Sequence, residues 1–377
     1  MHVIITKDSL IRIFRNNRIK ELFKSQEMGK DLNLCMIKKK KYILLFCMVT
    51  LVVVMLFICS IIKQNVKKEY LHITTTVYRN GENLDDGISM VTYLYDVNTK
   101  ELQHFDSIPI ERTVYPLSYY DYKNKKIYHT GAEKGESFDN LYVYDVENKI
   151  DTKLTDGKFL FNDFIMAGNN SNELICNVAP EFVTVTQPAI YDIEKNTFNY
   201  LNKDDEDTWC FSLSYNTSTK KLLSLTCSDS EMRSWEVCAV TFIRPKAIYM
   251  MNADFSEYEP IYYTKEFEIR STRQLDDEKI MIMADPSMGG GYSERVIKIY
   301  NMNTEEIYDL DLSRLKAIDS FYPRDNAEGI FLLAKNKEGK ISIYYYNMQE
   351  ETLEDIFENY EFPSDYAGII NFSYSYN

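Results

Sequence analysis

Apolar and aromatic residues alternate with polar ones over short runs along most of the chain, and the runs recur at a regular spacing. Six of these runs end in tyrosine and pass into a polar turn. The six tyrosines are Tyr95, Tyr144, Tyr191, Tyr249, Tyr300 and Tyr346, separated by 49, 47, 58, 51 and 46 residues. Alternation with a period of two predicts strands, and each unit divides into four of them. A repeat of this length with four strands is typical of a β-propeller, with one blade per copy.

The two ends of the repeat region complement each other. The chain closes on residues 371–377, which echo residues 210–216, the predicted first strand of another blade. The region opens with three strands that have no first strand before them, predicted at residues 70–77, 89–97 and 102–105. The sequence therefore predicts an all-β, six-bladed propeller, closed by pairing of the C-terminal strand with the first blade.

An apolar segment precedes the repeats. Residues 43–62 contain no charged side chain, and four lysines stand just before them at 38–41. At about 1.5 Å per residue such a helix spans roughly 30 Å, the thickness of a bilayer core. No small-residue cleavage pattern follows, so we expect an uncleaved signal-anchor with the N-terminus in the cytoplasm. A start at Met36 leaves this topology unchanged.

The predicted organisation has four parts. They are a basic cytoplasmic segment, one transmembrane α-helix, a linker and an extracytoplasmic propeller, at residues 1–42, 43–62, 63–69 and 70–377. The expected location is the cell membrane, with a single crossing.

Charge is distributed unevenly between these parts. Residues 1–42 carry a net charge of +7, whereas residues 63–377 carry −21. So acidic a propeller repels phosphate backbones, which argues against a nucleic-acid partner. The acidic run at residues 204–207 offers oxygen ligands for calcium, but its spacing does not fit a calcium-binding loop. A solvated run of charges is the favoured interpretation, and no cofactor is expected.

One repeat resembles a known family. Residues 141–157 contain a strand, a polar turn and a closing Leu-Thr-Asp-Gly, and this segment is similar to a TolB-type repeat. The resemblance to TolB-like and dipeptidyl-peptidase-type six-bladed propellers covers residues 70–377 as architecture and brings no catalytic motif. The chain lacks a G-x-S-x-G elbow and an H-E-x-x-H motif. A propeller peptidase would also need a separate hydrolase domain.

The connections between second and third strands are the long ones, and they share one face of a propeller. They lie at residues 79–88, 131–140, 177–188, 227–246 and 285–295. Long loops on a rigid scaffold usually carry recognition, and arginine and tryptophan are common binding anchors. The candidate ligand-binding residues are Arg233, Trp235, Arg244, Tyr292 and Arg295. An alternative for Trp235 is that it caps the core of its own blade.

Two cysteines fall on adjacent predicted strands of one hairpin. Cys210 and Cys227 either pair across the hairpin as a disulfide or remain buried thiols, and Cys227 has Cys238 as a second candidate partner. Export permits a disulfide without requiring one.

These observations predict a non-enzymatic binding or scaffolding module for a protein, peptide or glycan ligand. One alternative is a hydrolase or lyase that uses carboxylates near the central pore. Another is a sensor subunit of a membrane signalling complex.

Overall fold

The structure is a computed structural model, and the chain divides into two compact units, Met1–Lys67 and Lys68–Asn377. The residues described are 46, 48–55, 68–78, 88–110, 117–132, 138–166, 172–179, 185–234, 243–244, 246–285, 295–325, 327–361 and 366–376. In the first unit, residues 46 and 48–55 are helical, and their apolar side chains are exposed. Within the described ranges, no helix combines the length and the apolar character needed to cross a bilayer. Of the predicted span at 43–62, the structure describes residues 46 and 48–55, and the rest lies outside the described residues.

The second unit is an all-β, six-bladed propeller, as predicted. Its strands form six four-stranded antiparallel sheets, numbered here as blades 1 to 6 along the chain. Blade 1 contains β24 (Tyr366–Tyr376), β1 (Glu69–Tyr78), β2 (Ile88–Asp96) and β3 (Glu101–Ile110). Blade 2 contains β4 (Ser118–Asp121), β5 (Lys126–Gly131), β6 (Asn140–Asp145) and β7 (Ile150–Lys153). Blade 3 contains β8 (Leu160–Met166), β9 (Glu173–Ala179), β10 (Gln187–Asp192) and β11 (Thr197–Tyr200).

The other three blades follow the same order. Blade 4 contains β12 (Thr208–Asn216), β13 (Lys221–Ser228), β14 (Lys246–Asn252) and β15 (Glu259–Thr264), with the short helix α1 (Asp229–Ser234) after β13. Blade 5 contains β16 (Glu268–Gln274), β17 (Lys279–Asp285), β18 (Val296–Asn301) and β19 (Ile307–Asp309). Blade 6 contains β20 (Leu315–Pro323), β21 (Gly329–Asn336), β22 (Ile341–Asn347) and β23 (Thr352–Asp355). The first strands of neighbouring blades contact one another around the ring, so they line the central channel.

The C-terminal strand closes the ring. Strand β24 pairs antiparallel with β1, from Glu69 opposite Tyr376 to Val77 opposite Tyr366. The predicted closure of the propeller by the first and last strands is therefore confirmed. It leaves blade 1 with the same four strands as the others.

The register of this closing strand differs by two residues from the one that its sequence similarity to residues 210–216 predicts. Ser375 lies opposite Tyr70, as Asn216 lies opposite Lys221 in blade 4. The similarity of residues 371–377 to residues 210–216 instead predicts Asn377 at the position of Asn216. Because side chains alternate with a period of two, the displacement keeps the same face buried. Phe372 consequently takes the buried place that Leu213 occupies in blade 4.

The repeated Tyr-Asp or Tyr-Asn turn has a physical explanation. In each of these turns a carboxylate or amide oxygen accepts hydrogen bonds from the backbone N–H groups two and three residues later. These residues are Asp96, Asp121, Asp145, Asp192, Asn216, Asn301 and Asn347. The fourth residue after each is left-handed, with φ between 53° and 59°, and it closes the turn. Aspartate and asparagine are favoured there because their short side chains mimic the backbone of a turn.

A buried histidine lies between blades 1 and 2. His72 on β1 is 1% exposed, and its ring centroid is 6.0 Å from that of Tyr120 on β4. Burial lowers the pKa of His72 to about 3, and the nearby Ser118 backbone opposes this effect only in part. The side chain is therefore neutral in the folded protein at physiological pH.

We expect His72 to make the propeller sensitive to acid. The unfolded chain binds a proton near pH 6.5, whereas folded His72 does not until about pH 3, so stability falls as the pH drops through this window. Between pH 7 and pH 5, urea denaturation should show about 2 kcal/mol of lost stability that disappears in His72→Leu. The exposed His104 provides the control, and His104→Gln should keep the loss. An equal loss in wild type and His72→Leu would contradict this assignment.

Candidate functional site

The first strand of each blade lines the channel and is called its inner strand. Five inner strands end around one cavity of about 150 Å³. Its walls come from the C-terminal ends of β4, β12, β16, β20 and β24 and from the residues just after them. This end of the propeller also carries the tight turns, and the chain enters the propeller here, since Glu69 pairs with Tyr376. We call this cavity the channel mouth. It consists of residues 119, 121–124, 213–217, 273–275, 322–325 and 373–376.

Tyrosine is the dominant side chain of the channel mouth. The six tyrosines are Tyr119, Tyr122, Tyr215, Tyr322, Tyr374 and Tyr376. Burial raises the pKa of Tyr119 and of Tyr322 above the ordinary value, so both phenols stay neutral. Each such side chain offers an apolar ring and a hydroxyl that donates or accepts a hydrogen bond. This combination is frequent in binding surfaces.

An ion pair between the first strand and blade 6 fixes one wall of the mouth. Arg324 follows β20, and its Nη2 lies 2.5 Å from Oε2 of Glu69, which is 5% exposed. Nε of Arg324 lies 3.1 Å from Oε1 of the same carboxylate. The Tyr374 hydroxyl on β24 also donates to Glu69, and burial together with this carboxylate raises the pKa of Tyr374. The strand that closes the ring is thus tied directly to the mouth.

The inner strands share a second feature toward the opposite end of the channel. Five of them contain a β-bulge, at the same position relative to the second strand of each blade. The bulged residues are Asn162, Phe211, Arg270, Asp319 and Ile370. A bulge redirects a side chain and strengthens the local twist, which suits strands that line a narrow channel. Arg270 and Asp319 are thus bulged residues of channel-lining strands.

Arg244, a predicted ligand-binding residue, belongs to a buried charge cluster between blades 4 and 5. Nη2 of Arg244 lies 2.5 Å from Oε1 of Glu268, which is fully buried. Lys246 is 1% exposed, and its Nζ is 2.9 Å from the same oxygen and 4.2 Å from the centroid of Phe211. Burial lowers the pKa of Lys246 to about 8, although Glu268 opposes this. Burial also acts to raise the pKa of Glu268, but the two cations hold it below its ordinary value.

Arg295, another predicted ligand-binding residue, joins blades 5 and 6. Its Nε is 3.3 Å from Oδ1 of the fully buried Asp285, and its Nη1 is 3.5 Å from Oδ1 of Asp319. Arg270 contacts the other oxygen of Asp285, with its Nε 2.5 Å from Oδ2. Arg295 and Arg244 therefore hold neighbouring blades together. A ligand-binding role for either one stays a prediction.

The contacts between blades 3, 4, 5 and 6 follow one rule. A side chain just before or at the start of the third strand of one blade donates a hydrogen bond to the inner strand of the next blade. The acceptor is the carbonyl that precedes the bulge. The three contacts are Thr186 Oγ1 to Cys210 O at 2.7 Å, Lys246 Nζ to Ile269 O at 2.5 Å and Arg295 Nη1 to Ile318 O at 3.1 Å.

The remaining predicted ligand residues lie mostly outside the described part of the chain. Arg233 belongs to α1, but its side chain is not among those described, and Trp235 and Tyr292 are outside the described residues. Much of the long loops lies outside it as well. The predicted binding role of the long-loop face therefore stays a prediction.

The disulfide considered between Cys210 and Cys227 is absent, because both thiols are free and buried. Cys210 lies opposite Thr226 and Cys227 lies opposite Trp209, so the two cysteines are one register position apart. Adjacent register positions point to opposite faces of a sheet, and a bond cannot form across it. Burial raises the pKa of both thiols, which keeps them protonated. Cys238 lies outside the described residues.

The acidic run at 204–207 forms a turn. Oδ1 of Asp205 accepts hydrogen bonds from the backbone N–H groups of Asp207 and Thr208. The carboxylate of Asp207 accepts from Ser228 and Ser230. Within the ranges that the structure describes, no group of three or more metal-ligating side chains is arranged to hold an ion.

Comparison with known proteins supports the architecture. No family model matches the chain, and no curated protein is detectably similar in sequence. A putative TolB from Agrobacterium tumefaciens matches with a TM-score of 0.51 and 10% identity, over 78% of this chain and 90% of that chain. Kuenenia stuttgartiensis hydrazine synthase matches with a TM-score of 0.55 and 14% identity, over 82% of this chain and 47% of that chain.

The propeller domain of a trilobed protease from Pyrococcus furiosus is also similar, with a TM-score of 0.46 and 12% identity over 76% of this chain and 79% of that chain. The match to the putative TolB confirms the predicted resemblance to TolB-like propellers at the level of architecture. At these identities the likeness shows the fold alone.

Sequence reasoning missed the channel mouth. Arg273 stands at the end of an inner strand and is at least 49 residues from every tyrosine of the mouth, the nearest in sequence being Tyr322. One signal was available, because the predicted inner strands end in clustered aromatic and amide residues such as Tyr215-Asn216 and Tyr374-Ser375-Tyr376. The long loops instead predicted a binding site on the opposite face.

Proposed function

We propose that the protein is a membrane-anchored, extracytoplasmic propeller that binds a protein, peptide or glycan at the channel mouth without chemically changing it. The observation that carries this proposal is the cavity at the end of the channel, with its six tyrosines and its polar side chains. Among the described residues that line it, histidine and cysteine do not occur, whereas neutral phenols, amides and hydroxyls are abundant. Such a lining favours recognition over acid–base or nucleophilic chemistry.

The proposed anchor rests on the apolar segment at 43–62. The lysines at 38–41 favour a cytoplasmic N-terminus, and the described helical residues expose large apolar side chains such as Phe46 and Met55. Exposed apolar surface of this kind is stable in lipid rather than in water. The propeller begins at Glu69, a few residues after this segment.

Photo-crosslinking tests the proposed binding site. Lys123 and Lys195 are both exposed and stand in similar tight turns, but only Lys123 lines the mouth. With p-benzoylphenylalanine at one position or the other in the full-length protein in its own membrane, we expect ligand adducts from position 123, identified by mass spectrometry. Position 195 is the matched control, since it samples the same face at the outer rim. Equal labelling from both positions, or adducts from position 195 alone, would contradict a site at the mouth.

One observation favours the alternative of an enzyme. Asp319 and Arg270 are bulged residues of inner strands, so two charged residues lie on channel-lining strands away from the mouth. Partial desolvation raises the pKa of Asp319 although its side chain is 49% exposed, and Arg295 opposes this rise. A carboxylate of this kind suits a general acid in a hydrolase or lyase. Turnover of a peptide or polysaccharide by the purified protein that is lost in Asp319→Asn would support this alternative.

A further inference from the structure

One arginine of the propeller differs from its neighbours. Four partly buried arginines contact a carboxylate, and they are Arg244, Arg270, Arg295 and Arg324. Arg273 lines the channel mouth and, in the described part of the chain, has no carboxylate within ion-pair distance. A propeller with a strongly negative net charge therefore holds in its cavity an arginine that forms no ion pair with a described residue.

The contacts of Arg273 hold it in place without neutralising it. Nη1 donates to the carbonyl oxygens of Thr272 at 3.0 Å and of Leu213 at 3.3 Å. The guanidinium carbon lies 4.5 Å from the ring centroid of Tyr322. Nε is buried and makes no hydrogen bond to any described residue. A buried donor without a partner costs free energy, so a ligand that supplies an acceptor is stabilised there.

A second polar group without a partner lies beside Arg273. Ser214 lines the same cavity and is 5% exposed, and its Oγ makes no hydrogen bond within the described residues. It directly follows Leu213, whose carbonyl Arg273 contacts. The carboxylates of the mouth are engaged elsewhere, since Asp121 accepts from Lys123 and Asn124, and Asp325 accepts from Ser218. Two adjacent donors are thus available to a ligand.

We infer that Arg273 and Ser214 form a carboxylate-binding subsite, and that the carboxylate is the C-terminal end of a bound polypeptide. This inference rests on the proposed function and names the ligand of the same site. A guanidinium and a hydroxyl match the two oxygens of a carboxylate, and such charge-assisted hydrogen bonds are among the strongest that a protein offers. The Tyr322 ring holds the guanidinium close to its centroid before a ligand binds.

Two observations favour the end of a polypeptide. The cavity of about 150 Å³ admits an end group with one side chain rather than the middle of a broad polymer. Every inner strand is also the first strand of its sheet, so its channel-facing backbone groups have no strand partner in the described structure. An extended peptide pairs with such edges through its own backbone, as in other strand-addition complexes. The tyrosines then contact its side chains.

The test uses two libraries of N-acetylated random hexapeptides that differ only at the C-terminus, which is a free carboxylate in one and a carboxamide in the other. The full-length protein in detergent micelles is immobilised, and retained peptides are quantified by mass spectrometry. We expect the free-acid library to be retained about tenfold more than the amide library, and Arg273→Gln to remove this preference. The exposed Arg314 is the matched control, and Arg314→Gln should keep the preference for the free-acid library. Arg273→Lys and Ser214→Ala should each weaken it.

Each outcome decides between the alternatives. Equal retention of the two libraries overturns the carboxylate subsite and leaves binding at the mouth intact. Retention of neither library also overturns the carboxylate subsite. In that case, crosslinks from position 123 show whether the protein still binds a ligand at the mouth. Retention of oligogalacturonate that depends on Arg273, without retention of the peptides, overturns the polypeptide assignment. An unchanged thermal transition in Arg273→Gln ensures that a lost preference is not lost folding.

Discussion

A chain that stops at residue 365, and so lacks β24, should fail to form a stable propeller. Strand β1 would lose one of its two pairing partners from Glu69 to Val77 and would keep only β2. The fully buried Leu71 and Ile73 on β1 would lose the cover of the closing strand, and the buried Phe372 would be removed from the core between blades 1 and 6. Each large apolar side chain contributes about 1.5–3 kcal/mol when buried, whereas whole domains are stable by only about 5–15 kcal/mol.

The measurement is thermal unfolding of the full-length and truncated proteins in detergent, followed by circular dichroism. The truncated chain should lose the cooperative transition and aggregate through its exposed edge, whereas a chain that lacks only Asn377 should melt like wild type. A synthetic peptide of residues 366–377 should restore the transition by pairing with β1. A monomeric truncated protein with an unchanged melting temperature would show that the ring does not depend on this strand.

The architecture was predictable because it is a local pattern repeated many times. The short Asp or Asn turn and the alternation of the strands lie within ten or so residues, and each copy reinforces the others. The closure was also predictable, since three strands at the start and one at the end complete a single sheet. Its register was not, because Asn371-Phe372 resembles Cys210-Phe211 in sequence while the backbone pairing aligns Ile370 with Phe211. The two bulges are equivalent in position, so the pairing with β1 sets the register and the local sequence similarity does not.

The site was less predictable, because it is assembled from residues far apart in the chain. Glu69 and Arg324 are 255 residues apart yet form one ion pair at the mouth. No local pattern distinguishes Arg273, which lacks a carboxylate partner among the described residues, from Arg295, which contacts Asp285. The loop argument favoured Arg244 and Arg295 as binding anchors, whereas the structure gives both a role between blades. Such roles depend on which blades meet, and the sequence alone does not report this.

Glu268→Gln should be among the most destabilising single substitutions in the propeller. The Glu268 carboxylate is fully buried and contacts both Arg244 and Lys246, and Lys246 is itself almost fully buried. Glutamine keeps the shape but not the charge, so the buried Lys246 and the partly buried Arg244 would remain between blades 4 and 5 without a carboxylate. Breaking a buried ion pair in this way typically costs about 3–5 kcal/mol. Urea denaturation of the full-length protein should show a loss of this size.

A second substitution separates the loss of charge compensation from general disruption of the interface. Lys246→Met in the Glu268→Gln background removes one unpaired cation and keeps a side chain that packs on Phe211, so it should recover part of the lost stability. Glu350→Gln changes an exposed glutamate in a turn, and it should stay within about 0.5 kcal/mol of wild type. If the double variant is less stable than Glu268→Gln alone, Lys246 stabilises the blades through its hydrogen bond to the Ile269 carbonyl rather than through the carboxylate.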